Sequence, residues 1–531
     1  MKIWWGLLAG SVASIVVLWF TALPLGIPGE WVWERAESEP DLFWNLVGGT
    51  IAASLYAGYV LIGWRRLEDV ATDAGQATRM GWWLLGLILF GFSWLWIVQE
   101  VAPTRNRLGK TPFVLYYPSS SGYFTRARYD QPEAAAFLAG YEDLMREGDV
   151  LHTGTHPPGL FLVFHGLIAA CESSSWLSAV LDATQAPSFS EACDVIAENN
   201  LKRRVPLPLL PLDRRVLWLA TLLVMGAASL AVLPLYGLIR RDSTAQTAWV
   251  CAALWPAIPA VAMFIPKSDT VFPVIGLALV WLWVTAWDRR SPLLAMLAGL
   301  VAWCGLISSL AFLPILLASG LLSLASLFAR STMTRLPNAA EAPGATFLWI
   351  DQGRWLCVFV AAMSFAMLTG LLWYFARINL LNVWIMNYQN HAGFYQHYPR
   401  TYWKWLLVNP IELSLAAGWP VTMLALVSCL STAKSVREVH MRATPPNRIA
   451  VVAPLVIVWG LLWITGKNSG EAARIWILLC PWLIWLASFE FETLALRSAT
   501  FERRQQQLLG LIGLQFAVCL LTVTRVCGFQ S

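Results

Sequence analysis

The stretch DVLHTGTHPPGLFLVFHGLIAAC, Asp149 to Cys171, decides how the chain is threaded. It opens polar, passes His152, His156, Pro157 and Pro158, and then turns apolar. The apolar part runs for about 15 residues, too few to cross a bilayer as helix. Thr155 or His156 stands where it would cap such a helix, and Pro157 suits a first turn. Elsewhere the chain has apolar blocks of full length, so a short one needs an explanation.

Working outward, the surroundings are those of a membrane protein. Of 531 residues, 57% are hydrophobic and 13% charged, where a soluble chain is about a quarter charged. Mean hydropathy is +0.57. The 31 tryptophans suit the headgroup interface. The blocks predict an all-α polytopic membrane protein with about 13 transmembrane helices, near residues 3–23, 42–64, 80–100, 216–239, 246–264, 270–287, 291–307, 309–329, 355–375, 410–430, 449–466, 474–490 and 508–526. The first block is too long for a cleaved signal and reads as a retained span.

Basic residues set the expected orientation. Arg65, Arg66 and Arg79 flank one loop, Arg240 and Arg241 the next, then Arg289 and Arg290. Arg330, Arg335 and Arg354 follow, then Lys434, Arg437, Arg442 and Arg448, then Arg497, Arg503 and Arg504. Every second loop is basic, which places these loops in the cytoplasm. The N-terminus is then cytoplasmic, the C-terminus outside, and the protein a multi-pass protein of the cell membrane. An even number of crossings must separate the span at 80–100 from the one at 216–239. Zero is the simplest, so residues 101–215 form one outer loop and the helix after His-Pro-Pro-Gly is re-entrant or interfacial.

Polar chemistry gathers on this outer face. The long loop carries Arg126, Asp130 and Asp149 beside a predicted amphipathic surface helix at 133–147, whose Glu133, Glu142, Asp143 and Glu147 read as solvated. Asp130 and Asp149 sit at junctions and are candidate carboxylates. Lys267 and Asp269 stand in PKSD between two spans, where an ionisable residue is costly unless solvated, paired or functional. Lys467, Glu471 and Arg474 occupy GKNSGEAAR, with Glu471 and Arg474 spaced to share a helix face. Their cations suit a lipid phosphate, as do His391, His397 and Arg400 among Tyr388, Phe394, Tyr395, Tyr398 and Tyr402; the same tyrosines equally suit an interface belt. His152 and His156 lack an evident third ligand for zinc. Cys171 and Cys193 share the outer loop and could pair.

GYFTRA, THPPG with its apolar helix, LYGLIRR and PKSD, in that order, resemble the GT-C superfamily of integral-membrane glycosyltransferases, of the protein O-mannosyltransferase and aminoarabinose transferase type. The resemblance covers residues 80–290 by motif and the rest by topology. It makes residues 1–79 a two-span addition to a GT-C-like domain at 80–530. It implies a glycosyltransferase moving a sugar from a polyprenyl-phosphate donor to an unidentified acceptor on the outer face. Membrane lipid is the other partner, nucleic acid is not one, and a divalent metal stays open. By the resemblance, Asp269 matches the family's later outer Asp and His156 the His of His-Pro-Pro. The acid expected before the loop tyrosine is absent from SSSGYF, Ser119 to Phe124. Asp130 or Asp149 then substitutes, or the base is lost. A transporter or flippase of an amphiphilic substrate and an inactive GT-C-like assembly protein are the competing readings.

Overall fold

A computed structural model describes residues 2–68, 76–151, 153–203, 209–333, 351–437, 446–467, 469–498 and 500–529. The fold is an all-α polytopic membrane protein with one short hairpin. Among the described residues ten helices are long and apolar enough to cross a membrane, and the number reaches 12 if each of two bent helix pairs is one span. Every expected span falls on a helix, and ten of them pass by length and composition alone. Pro292–Ser308 and Arg448–Ile464 are shorter apolar helices. The expected span at 410–430 is broken. Tyr402–Ala417 turns by 119° into Trp419–Ser435.

Gly418 makes that break. Its φ of +85° is open to glycine at no steric cost, and a β-carbon there would lie 2.5 Å from Gln515 Nε2. The same Gln515 Nε2 donates to the freed carbonyl of Ala417 at 3.0 Å. Water cannot reach such a carbonyl inside a bundle, so a buried amide takes its place.

The centre of the bundle is Ala245–Met263, of which 94% is buried, against 11% for Gln352–Ala376 at the rim. Ala248, Ala252, Ala253, Ala257, Ala260 and Ala262 let neighbouring backbones come close. Tryptophan also serves this core, beyond the interfacial role expected of it. Trp249 donates to Val60 O at 2.8 Å and Trp255 to Ala228 O at 2.7 Å. The two leading spans pack into the bundle as well. Lys2–Phe20 lies on Trp419–Arg437 and Phe501–Val523, and Leu42–Glu68 on Gln76–Glu100, Ala245–Ala253 and Phe501–Val523.

The helix after His-Pro-Pro-Gly is Gly159–Ser173, 15 residues, roughly 22 Å long at 1.5 Å per residue. It bends by 102° into Ser175–Thr184, which Ser174 caps by accepting from Leu177 N. The cap expected from Thr155 or His156 does not form. Pro158 is the N-cap residue and gives no side-chain bond. The expected surface helix at 133–147 is two, Ala134–Ala139 and Tyr141–Arg146, parted at Gly140. Glu142 is not simply solvated, because it accepts from Asn379 N at 2.9 Å. Cys171 and Cys193 do not pair; both are free and buried.

The polar loops sort to two ends. At one, the arginine-rich loops join through Arg241–Asp288 at 2.5 Å, Arg290–Asp351 at 3.0 Å and Arg448–Glu490 at 3.7 Å. At the other, Lys267, Arg400 and Arg474 meet the long loop. There a hairpin follows the first span, with strands β1 (Leu25–Ile27) and β2 (Trp31–Trp33). Its register is Leu25 to Trp33 and Ile27 to Trp31.

Candidate functional site

A cavity of about 270 Å³ opens at this second end. Lys267, His391, Arg400, Glu471 and Arg474 line it, five residues singled out from sequence, brought from three separate loops. Ser119 and Ser120, Trp31 and Trp33 of the hairpin, and Phe529 also belong to the wall. Arg400 precedes the Tyr402–Ala417 helix. Its guanidinium lies 5.8 Å from the centre of the Trp31 ring, and Nη1 donates to Glu30 O at 2.7 Å. Arg474 belongs to the short helix Ala472–Ile475 and pairs with Glu471 at 2.5 Å.

Three donors in this wall lack a protein acceptor among the described residues. They are Arg400 Nε, Arg474 Nε and Trp31 Nε1, all buried. A buried N–H without an acceptor costs about 1–3 kcal/mol, more if charged. Two guanidinium donors of this kind in one cavity suit an anion with several oxygens.

The charges around them follow from burial and proximity. Burial, helped by the Arg474 charge, pulls the Lys267 ammonium down to about 7, against Asp269 and Glu471. Lys267 also donates to Ser120 O. Burial works against the Arg474 charge too, but Glu471, Asp269 and Tyr123 together hold it above its ordinary value. Burial and Lys467 push the His391 imidazole down. The Tyr123 phenol is raised, first by burial and then by Asp269.

Asp269 therefore lies within electrostatic reach of Lys267, Arg474 and Tyr123. It is half-buried, and no hydrogen bond or ion pair ties its carboxylate among the described residues. The other two candidate carboxylates are engaged. Asp130 pairs with Arg126 at 3.3 Å. Asp149 accepts from Leu151 N at 2.9 Å and Thr153 N at 2.7 Å, closing a turn. None of the three carboxylates, Asp130, Asp149 or Asp269, nor Arg126, is part of the cavity lining. His156 stands behind Tyr123, ring edge to ring face at 5.7 Å. Lys467 lies over the Tyr388 ring at 4.8 Å. His152 lies outside the described residues. Among the described residues no three His, Cys, Asp or Glu side chains are grouped to hold a metal.

Beside the cavity runs an apolar groove of about 410 Å³. Val17, Leu18, Leu25, Ile411 and Leu415 line it, and Trp33 is a wall of both spaces. Sequence reasoning missed the hairpin contribution. EWVW shows alternation for only four residues, and nothing local says that it faces Arg400.

No family model matches the chain, and no curated protein does. A solved structure with a detectable likeness is the oligosaccharyltransferase of Archaeoglobus fulgidus, in complex with zinc and sulfate. Identity is 15%, the TM-score is 0.34, and the match covers 63% of this chain. The chain spans 44% of the length of that enzyme. A likeness this coarse transfers no activity.

Proposed function

We propose that the protein is an integral-membrane glycosyltransferase that takes a sugar from a polyprenyl-phosphate donor and passes it to an acceptor hydroxyl on the outer face. The observation that carries this reading is the pair of unpartnered guanidinium donors, Arg400 Nε and Arg474 Nε, in one cavity, with the untied carboxylate Asp269 within electrostatic reach of Arg474. Arg400 and Arg474 bind the donor phosphate, with Lys267 beside them. The polyprenyl tail runs past Trp33 into the apolar groove. Asp269 takes the proton of the acceptor hydroxyl as its oxygen bonds to the sugar carbon. The bond from that carbon to phosphate oxygen breaks, and the phosphate keeps the electron pair, stabilised by the fixed cations.

The test is sugar transfer from labelled polyprenyl-phosphate sugars to candidate acceptors by the purified protein. Asp269→Asn is expected to slow transfer by about 10²–10⁴-fold and keep donor binding, while Arg474→Ala loses binding. Donor binding without transfer to any acceptor favours the assembly-protein reading. Absence of donor binding overturns the proposal.

A further inference from the structure

The hairpin and the Tyr402–Ala417 helix hold each other through two carboxylates that point in opposite directions. Glu30, in the hairpin turn, reaches to the helix. Its Oε2 accepts from Trp405 Nε1 at 2.7 Å and from Thr401 N at 2.8 Å. Its Oε1 accepts from Thr401 Oγ1 at 2.5 Å and lies 3.6 Å from Lys404 Nζ. Glu412, on the helix, reaches back. Its Oε1 accepts from Trp33 Nε1 at 2.8 Å and from Ala473 N at 3.0 Å. Trp405 and Glu412 are two turns apart, so one helix face makes both contacts.

Each carboxylate is one step from a cavity cation. Glu30 offers its own carbonyl to Arg400 Nη1 at 2.7 Å, and its carboxylate holds Thr401, the residue after Arg400. Glu412 holds Ala473, the residue before Arg474. Both sites are enclosed, since Trp405 is 0% exposed and Glu412 7%. A carboxylate at such a depth is kept only by donors, and Glu30 has enough of them. Burial alone would raise it, but Thr401, Trp405 and Lys404 bring it down to about 2. Its place at the N-terminus of the helix adds to this.

We infer that Glu30 and Glu412 are positioning residues that set Arg400 and Arg474 at the spacing an anionic headgroup requires. The inference rests on the reading of the cavity as a phosphate site. It gives the first 33 residues a part in that site. The chain before the second span supplies Glu30, Trp31 and Trp33, and these fix where two later cations stand. Neither carboxylate touches the headgroup.

The experiment measures equilibrium binding of radiolabelled dodecyl phosphate to the full-length protein in neutral detergent. Glu30→Gln and Glu412→Gln keep size and one acceptor oxygen, and each is expected to weaken binding about tenfold. Glu30→Asp restores part of the loss. A double-mutant cycle separates positioning from general support. In an Arg400→Ala background, Glu30→Gln has no further effect, because the group it acts through is gone. In an Arg474→Ala background the same holds for Glu412→Gln. Thermal unfolding of each variant shows whether it is folded, and a variant that does not fold is replaced by Trp405→Phe or Trp33→Phe, which delete one donor each.

Full binding by folded Glu30→Gln and Glu412→Gln overturns the inference, as do losses that simply add to those of the arginine variants. If the arginine variants lose binding while the glutamine variants keep it, the phosphate site stands and the positioning role falls. If Arg400→Ala and Arg474→Ala bind as the parent protein does, or the parent does not bind, the site reading falls and this inference with it.

Discussion

Arg400 Nε lies 3.1 Å from the point where a β-carbon on Gly470 would sit. Gly470 itself has φ of +80°, a conformation that L side chains rarely adopt. The absent side chain thus leaves room for a cavity cation. Gly470→Ala is expected to displace the guanidinium and weaken dodecyl phosphate binding about tenfold. An unchanged affinity in the folded variant would mean that Arg400 is not held by this contact.

Lys267 makes binding pH-dependent. Its ammonium is brought down to about 7, so it is charged below that pH and neutral above. Affinity for a phosphodiester amphiphile, whose own charge is constant across this range, should fall as pH rises through 7. Lys267→Met should remove the contribution of this ammonium to the step, while Arg474 stays charged throughout. Titrations of affinity from mildly acid to mildly alkaline pH decide it, and a step retained in Lys267→Met would assign it to another group.

Asp269→Asn should lower the rate of sugar transfer by about 10²–10⁴-fold, the usual contribution of a general base. Asp130→Asn and Asp149→Asn should not match it, because those carboxylates serve Arg126 and a backbone turn. Single-turnover kinetics alongside donor binding separate loss of chemistry from loss of affinity. Equal losses in all three variants would leave Asp269 with no special role.

Sidedness has its own test. Leu151 is exposed and lines the cavity, and Arg241 is exposed at the other end. A membrane-impermeant maleimide applied to intact cells should label Leu151→Cys and spare Arg241→Cys. The reverse pattern would put the cavity in the cytoplasm and remove an outer-face donor from the reading.

Gly418→Ala probes the broken helix. Its φ of +85° and the closeness of Gln515 predict a loss of about 1–3 kcal/mol. Thermal unfolding in detergent measures it, and an unshifted transition would show that the bend relaxes freely.

The sequence by itself determined the class and the rhythm of the fold. Backbone polar groups cannot be left bare in lipid, so apolar blocks of the right length must be helices. The short block after Pro158 is too short to cross as one straight helix, and it is Gly159–Ser173, which bends by 102° into Ser175–Thr184. Composition and junction position also marked Lys267, Arg400, Glu471 and Arg474, because charge beside a span is costly without a task. Tertiary structure alone decided which of the marked residues meet. Asp130 and Asp149 are tied within four residues, to Arg126 and to a backbone turn, whereas only packing brings Asp269 within reach of Arg474 and Tyr123. The hairpin went unseen for the same reason. Glu30 and Arg400 are separated by most of the chain, and the hydrogen bond between them exists only once the bundle has closed around both.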